Sequence, residues 1–143
     1  MTETETTETF EPIRLTADVV VLTPDGYVLL VKRKWEPYAD YWALPGGHAN
    51  RGEATTAAAI RELEEETSVQ VAAEDLRQLG AWDTPGRDPR GRYVTVAYSA
   101  VVAAGTRAVA MDDARDVRWW PLTGLPTRLA FDHEDILSAA RGH

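Results

Sequence analysis

Residues 46–69 read GGHANRGEATTAAAIRELEEETSV. The second half of this stretch, Ala54–Thr67, has helical character: Ala57, Ile60 and Leu63 are spaced to form one apolar stripe, while Glu62, Glu65 and Glu66 fall on another face. At positions i, i+3 and i+4 the three carboxylates lie on neighbouring parts of the helix surface. Like charges so placed repel, at a cost of a few tenths of a kcal/mol per pair, unless a cation answers them. An all-oxygen ligand set suits a hard ion such as Mg2+ or Mn2+. A solvated acidic face accounts for the same cluster, and Arg61 can pair with Glu65 at i+4. The carboxylates alone therefore leave both readings open.

Outward from this segment the chain alternates strands and loops. Ile13–Leu22 and Tyr27–Lys32 are apolar and β-branched runs about the turn signal Thr23-Pro24-Asp25-Gly26, which predicts a hairpin. Lys34–Tyr41 reads as a polar and aromatic loop, and Trp42–Leu44 as a short strand ending at Pro45-Gly46-Gly47. Gln78–Asp83, Tyr93–Val102 and Val117–Pro121 are further strands, and alternation along the last is expected to divide Trp119 and Trp120 between core and surface. Phe131–Ala140 reads as a closing helix with Asp132 as its N-cap. No repeat and no interior linker is evident. Strands and helices in this mixed order indicate one α/β domain over residues 12–143, as the length of 143 residues also suggests.

The formal charge is −8. Residues 1–11 carry Glu3, Glu5, Glu8 and Glu11 without a base, and this Thr/Glu-rich tail is expected to be disordered. Residues 51–66 hold five glutamates against Arg51 and Arg61. The acid excess argues against a nucleic-acid partner bound by phosphate neutralisation and against an anionic membrane surface. With no Cys there is no disulfide, thiolate metal site or cysteine nucleophile. The N-terminus has neither a basic n-region nor an apolar h-region, so a cytoplasmic location is expected.

The stretch resembles the box of the Nudix hydrolases, G-x5-E-x7-R-E-U-x-E-E-x-G-U, where U is a bulky apolar residue. Gly47 is followed at the box spacing by Glu53, Arg61-Glu62, Leu63, Glu65-Glu66 and Val69; Ser68 stands where the box has its last Gly. The resemblance covers nearly all of residues 13–140. It implies a Nudix α/β/α sandwich, with a mixed β-sheet between helices and the box as strand–loop–helix. It implies that the Gly46 carbonyl, Glu62, Glu65 and Glu66 hold Mg2+ or Mn2+, that Arg61 orients the glutamates, and that Glu53 is a further ligand or a base. Asp113, in the region where relatives carry another acid, competes with Glu53 as base. Ser68 replaces Gly near the helix C-terminus, where a left-handed conformation favours Gly.

Two further segments resemble the ADP-ribose pyrophosphatase branch: TPGRDPRGR at residues 84–92 and LAFDHEDIL at residues 129–137. Arg87, Arg90 and Arg92 offer guanidinium forks suited to phosphate, with Asp88 placed to lock the loop. Trp35 and Tyr38 are candidates to stack a base, Trp42 is expected to pack in the core, and His48 beside the Gly-Gly turn is placed to touch substrate. A local structural role is expected of His133. The activity implied is metal-dependent hydrolysis of a nucleoside diphosphate linked to another moiety, foremost ADP-ribose to AMP and ribose 5-phosphate. Hydrolysis of oxidised nucleoside triphosphates is the alternative within the enzyme class. Non-catalytic sensing of ADP-ribose is the alternative outside it. Sensors of that kind carry a C-terminal winged helix, for which a chain ending at His143 is expected to leave no room, and their boxes often lose carboxylates that this one keeps. Many relatives are dimers, so a homodimer is among the implied states.

Overall fold

A computed structural model describes residues 9–111 and 114–142. Seven strands form one mixed sheet: β1 (Arg14–Leu22), β2 (Tyr27–Arg33), β3 (Trp42–Ala43), β4 (Gly46–His48), β5 (Arg77–Trp82), β6 (Tyr93–Val101) and β7 (Ala114–Pro121). Two helices, α1 (Thr55–Thr67) and α2 (His133–Arg141), cover its faces. Strand β1 is central. It runs parallel to β6 in unbroken register from Arg14↔Tyr93 to Leu22↔Val101, and its first half pairs antiparallel with β4 through Thr16↔His48, Ala17↔Gly47 and Asp18↔Gly46. Beyond that point β2 takes over the same edge at Leu22↔Val28. The sheet therefore splits beside Asp18, and the gap becomes the floor of a cavity.

Strand alternation sorts the core into two halves. Ala17, Val19, Val21 and Leu29 face α1, where they meet Ala58, Ala59 and Leu63. Val20, Val28, Leu30 and Ala97 face α2, where they meet Ile136, Leu137 and Ala140. Both faces of β1 are buried, which is why its sequence is an apolar run over Val19–Leu22 and not an alternation. Trp119 packs on the α1 side and Trp120 on the α2 side, where its ring meets Trp42 edge-on with centroids 5.2 Å apart. The two tryptophans do point opposite ways, but each finds a core.

The helix stripe is rotated from the expected one. Ala58, Ala59, Leu63 and Thr67 are buried, whereas Ala57 is exposed and Ile60 only half-buried. In a helix start of Thr-Thr-Ala-Ala-Ala the alanines carry little phase information, and Leu63 alone fixes the inward face. Gly46–His48 is a strand where a turn is expected: two glycines followed by a histidine carry no β signal, and only pairing with β1 defines them. The strand ends and helix ends otherwise fall within a few residues of the expected ones, β7 beginning three residues earlier at Ala114.

Ser68 takes the left-handed conformation that the box reserves for Gly, with φ 68° and its N–H bonded to the Glu64 carbonyl at 2.9 Å. Its hydroxyl meets the Met111 sulfur at 2.7 Å, a weak acceptor that offsets little of the backbone cost. Ser68→Gly is expected to stabilise the fold by up to about 1 kcal/mol, the relief of φ strain exceeding the added unfolded-state entropy. A rise in melting temperature of roughly 3 °C would show it.

Among the described residues no helix is long and apolar enough to cross a membrane. The acidic tail over residues 1–8, and with it Glu3, Glu5 and Glu8, lies outside the described residues.

Candidate active site

A cavity of about 290 Å³ opens where β1 parts from β2. Its walls include Asp18 on β1, Arg33 at the end of β2 with the following Lys34–Glu36, Gly46–His48 of β4, Glu62 and Glu66 on α1, and Arg87, Asp88 and Arg90 of the loop before β6. Phe131 and His133 close it from the start of α2.

The two glycines are needed by contact. A Cβ on Gly47 would stand 2.6 Å from the Glu62 carboxyl, and one on Gly46 would stand 2.2 Å from the Ala17 carbonyl oxygen. Removing side chains here lets β4 lie directly against the acids of α1. The Gly46 N–H donates to Glu66 Oε1 at 3.0 Å.

Arg61 organises the box. Its guanidinium donates to both oxygens of Glu53 at 2.9 Å, to Glu62 Oε2 at 3.2 Å, to Glu65 Oε1 at 3.0 Å and to the His48 carbonyl at 2.9 Å. One cation thus joins β4, the following loop and α1. Glu53 also accepts the Asn50 N–H at 2.8 Å. The Arg61 bonds, aided by that N–H, pull the Glu53 carboxyl down to about 2. Both Glu53 oxygens are thus engaged by the Arg61 guanidinium.

The acids facing the cavity behave oppositely. Burial pushes the Glu66 carboxyl up to about 8, outweighing the Gly46 N–H, and the charges of Glu62 and Asp18 add to the rise. Burial also raises Glu62, against the pull of Arg61. As a residue Glu66 is only half-buried, but its carboxyl lies in the depth of the cleft. Two neighbouring carboxyls that cannot comfortably both be charged are what a divalent cation would relieve. On donor chemistry the residues fit such an ion: all are oxygens, and the Gly47 cradle leaves Glu62 uncovered. Among the described residues no three acid or histidine side chains already stand together as a metal cage. Arg61 holds Glu62 and Glu65, and Glu65 stands off the cavity wall.

The three arginines of the RDPRG loop divide. Arg90 lies on the cavity, doubly bonded to Asp88 at 2.8 and 3.1 Å and stacked 4.8 Å over the Tyr93 ring. Asp88 is the loop's internal lock: burial would raise its carboxyl, but the bonds from Arg90 hold it below the usual range. Arg87 touches the cavity yet is committed to Asp132, donating at 2.6 and 2.8 Å from a nearly buried side chain. Arg92 is not brought to the cavity; it bonds the Asp83 carbonyl and pairs with Glu11 at 3.4 Å. Trp35 and His48 line the cavity. Tyr38 does not, because its ring packs on Phe131 and Tyr41 at 4.8 and 5.3 Å. Asp112 and Asp113 lie outside the described residues, although Met111 beside them donates its N–H to the Glu66 carbonyl at 3.0 Å.

Sequence reasoning missed Arg33. Its half-buried guanidinium lines the cavity, bonded to the Pro37 and Trp35 carbonyls at 2.8 and 3.4 Å. The available signal was a cation ending a buried strand just ahead of the aromatic loop. The expected local role of His133 takes a definite form. Its Nδ1 accepts the Leu44 N–H at 3.0 Å, which ties α2 to the residue before Pro45-Gly46, and Nε2 stands 3.8 Å from Asp18. The ring is thus neutral with the proton on Nε2, and burial lowers its pKa below the ordinary histidine value. In the unfolded chain the ring protonates below about pH 6.5, so the folded state loses stability as pH falls from there, at up to about 1.4 kcal/mol per unit until the folded pKa is reached. Because Glu66 pulls the other way over this range, the His133 contribution is read as a difference: in denaturant melts, the stability of the wild type relative to a His133→Asn variant should fall from pH 7.5 to pH 5.5.

The family model for the NUDIX domain matches residues 12–140. An ADP-ribose pyrophosphatase of Methanocaldococcus jannaschii is 38% identical, over 82% of this chain and 67% of its own length. An ADPR-responsive transcriptional repressor of Acinetobacter baylyi is 33% identical over 88% of this chain, which spans about half (52%) of that relative. The NUDIX domain of Shewanella oneidensis NrtR, solved with ADP ribose, superposes with a TM-score of 0.81 at 32% identity, covering 99% of this chain and 98% of that one. The strand–loop–helix with its arginine-bound glutamates, the mixed sheet between two helices and the extent of these matches place the chain in the Nudix family.

Proposed function

We propose that the protein hydrolyses the pyrophosphate bond of a nucleoside diphosphate linked to another moiety, with ADP-ribose to AMP and ribose 5-phosphate as the leading reaction. The observation that carries this reading is the meeting, in one cavity, of the acids Glu62 and Glu66 with the guanidinium groups of Arg33 and Arg90. Acids alone would suit a cation and arginines alone an anion; both together suit a diphosphate carried with divalent metal. Similarity to the archaeal pyrophosphatase and to the ADP-ribose-bound domain favours the ribose-linked substrate. The box glutamates, with Glu62 and Glu66 foremost and the Gly46 carbonyl beside them, would hold Mg2+ or Mn2+. When bound, the ions neutralise the pyrophosphate charge and activate water for attack on phosphorus.

The chain's own residues supply position and orientation. Arg61, fixed by Glu53, sets the angle of the acids on α1. Arg33 and Arg90 receive phosphate oxygens from the opposite wall. Trp35, exposed at the cavity mouth, offers a face for a base. Asp113, next to the segment tied to Glu66, is proposed as the general base over Glu53, whose carboxyl is engaged on both oxygens.

A substrate panel tests this directly: incubation with Mg2+ and ADP-ribose should yield AMP and ribose 5-phosphate. Absence of turnover across nucleotide sugars, dinucleotides and oxidised nucleoside triphosphates would sink the reading. The second reading, an ADP-ribose sensor, is favoured by the similarity to the ADPR-responsive repressor. Micromolar binding of ADP-ribose with Mg2+ present and no hydrolysis would select it.

A further inference from the structure

Phe131 occupies an uncomfortable position. Its backbone has φ 53°, left-handed in a bulky residue for which that region is a genuine outlier. Such a conformation is costly and persists only where the surroundings enforce it. Ala130 before it is fully buried, and Asp132 after it is held by Arg87. The result is a ring turned into the cavity instead of away from it.

That ring stands between two cations. The Arg33 guanidinium carbon lies 4.8 Å from its centroid and that of Arg90 lies 5.9 Å from it. Both distances are within the range of cation–π attraction. Each arginine is also anchored behind: Arg33 by the Pro37 carbonyl at 2.8 Å, Arg90 by Asp88 and the Tyr93 ring. Burial, together with the like charge of Arg90, disfavours the charged form of Arg33. Among the described residues Arg33 has carbonyl partners and no bonded carboxylate. Two guanidinium groups are thus held near one another in a partly dry cleft, with an aromatic face between them and no acid bridging them.

We propose that Phe131 is a positioning residue whose ring sets Arg33 and Arg90 as a preorganised clamp for a phosphate group of the substrate, on the wall facing Glu62 and Glu66. The proposal rests on the diphosphate reading above. A clamp assembled before substrate arrives lowers the ordering cost of binding. Because its contacts exist equally in bound substrate and transition state, its loss raises KM and leaves kcat nearly unchanged.

The test uses Phe131→Leu, which keeps apolar bulk and backbone strain but removes the π face, and Phe131→Tyr, which restores it. Steady-state hydrolysis of ADP-ribose with Mg2+ gives kcat and KM, and calorimetry with ADP-ribose in EDTA gives Kd without turnover. Phe131→Leu should raise both Kd and KM about tenfold with kcat within about twofold, and Phe131→Tyr should return both to near the wild-type values. An unchanged Kd in Phe131→Leu, a fall in kcat at constant KM, or equal impairment of both variants would overturn the proposal. Phe131→Met serves the same comparison if the Leu variant does not fold. Wild-type protein that neither binds nor cleaves ADP-ribose or any other nucleoside diphosphate derivative would overturn the functional reading and the clamp together. Wild-type binding and cleavage together with an unimpaired Phe131→Leu variant would overturn the clamp alone.

Discussion

Glu66→Gln should lose about three orders of magnitude in turnover while making the metal-free protein more stable. The two effects have one cause. In the metal-free fold the Glu66 carboxyl is buried, with the Gly46 N–H as its one donor among the described residues, and its pKa is pushed up to about 8. A folded pKa above the unfolded value of 4.5 means that folding opposes ionisation, so stability declines as pH rises from about 4.5 to about 8. By pH 8 the penalty is roughly 2–4 kcal/mol. Glutamine is nearly isosteric, can still accept from Gly46, and carries no charge to desolvate. Melting in EDTA at pH 8 should therefore occur at a higher temperature for the variant. Mg2+ should raise the melting temperature of the wild type, more at pH 8 than at pH 6, and leave the variant unmoved. The lost activity corresponds to about 4 kcal/mol of transition-state stabilisation, within what a metal supplies at a developing phosphoryl charge. A variant with full activity would refute the ligand assignment. A variant inactive but no more stable in EDTA would mean that the carboxyl finds water in the metal-free state.

This coupling of function to destabilisation shows which parts of the site could be read in the chain. The glutamates of α1 were legible as a cluster because helical spacing survives in sequence, although the spacing alone also fitted a solvated acidic face and only the box resemblance pointed to a cation. Arg61 and Glu53 were legible as neighbours of that helix, though their mutual grip depends on a loop path that spacing does not encode. The opposite wall was less legible. Arg33 ends a strand whose middle, Val28–Val31, is buried core, and only the parting of β1 from β2 turns it into a cavity residue. The arginines of the RDPRG loop look equivalent in composition, but three different acceptors claim them: Asp132 takes Arg87, Asp88 takes Arg90, and the Asp83 carbonyl takes Arg92. Tyr38 looked free in a polar loop, yet Phe131, ninety-three positions later in the numbering, covers it. Local period predicts what one element presents; it does not predict which distant element will answer.

The Arg87–Asp132 pair carries the second large effect. Asp132 sits at the N-cap position of α2 and was expected to cap the helix, but it makes no side-chain cap bond. Its two oxygens are spent on Arg87, 45 residues away, at 2.6 and 2.8 Å. The Arg87 side chain is only 6% exposed. Replacing Asp132 by Ala would leave that guanidinium buried without a counter-charge, which typically costs 3–5 kcal/mol. For a domain of this size the melting temperature should fall by roughly 10 °C or more. Truncating both partners together, Arg87→Met with Asp132→Ala, should recover much of the loss, because the cost lies in the orphaned charge and not in the absence of the pair. The double variant is still expected to be impaired in catalysis. Arg87 anchors the loop that presents Arg90, and Asp132 lies between Phe131 and His133, both of which face the cavity. Stability restored without activity would place the pair's role in aligning the loop with the start of α2. Activity restored along with stability would instead mean that packing alone keeps these two segments in place.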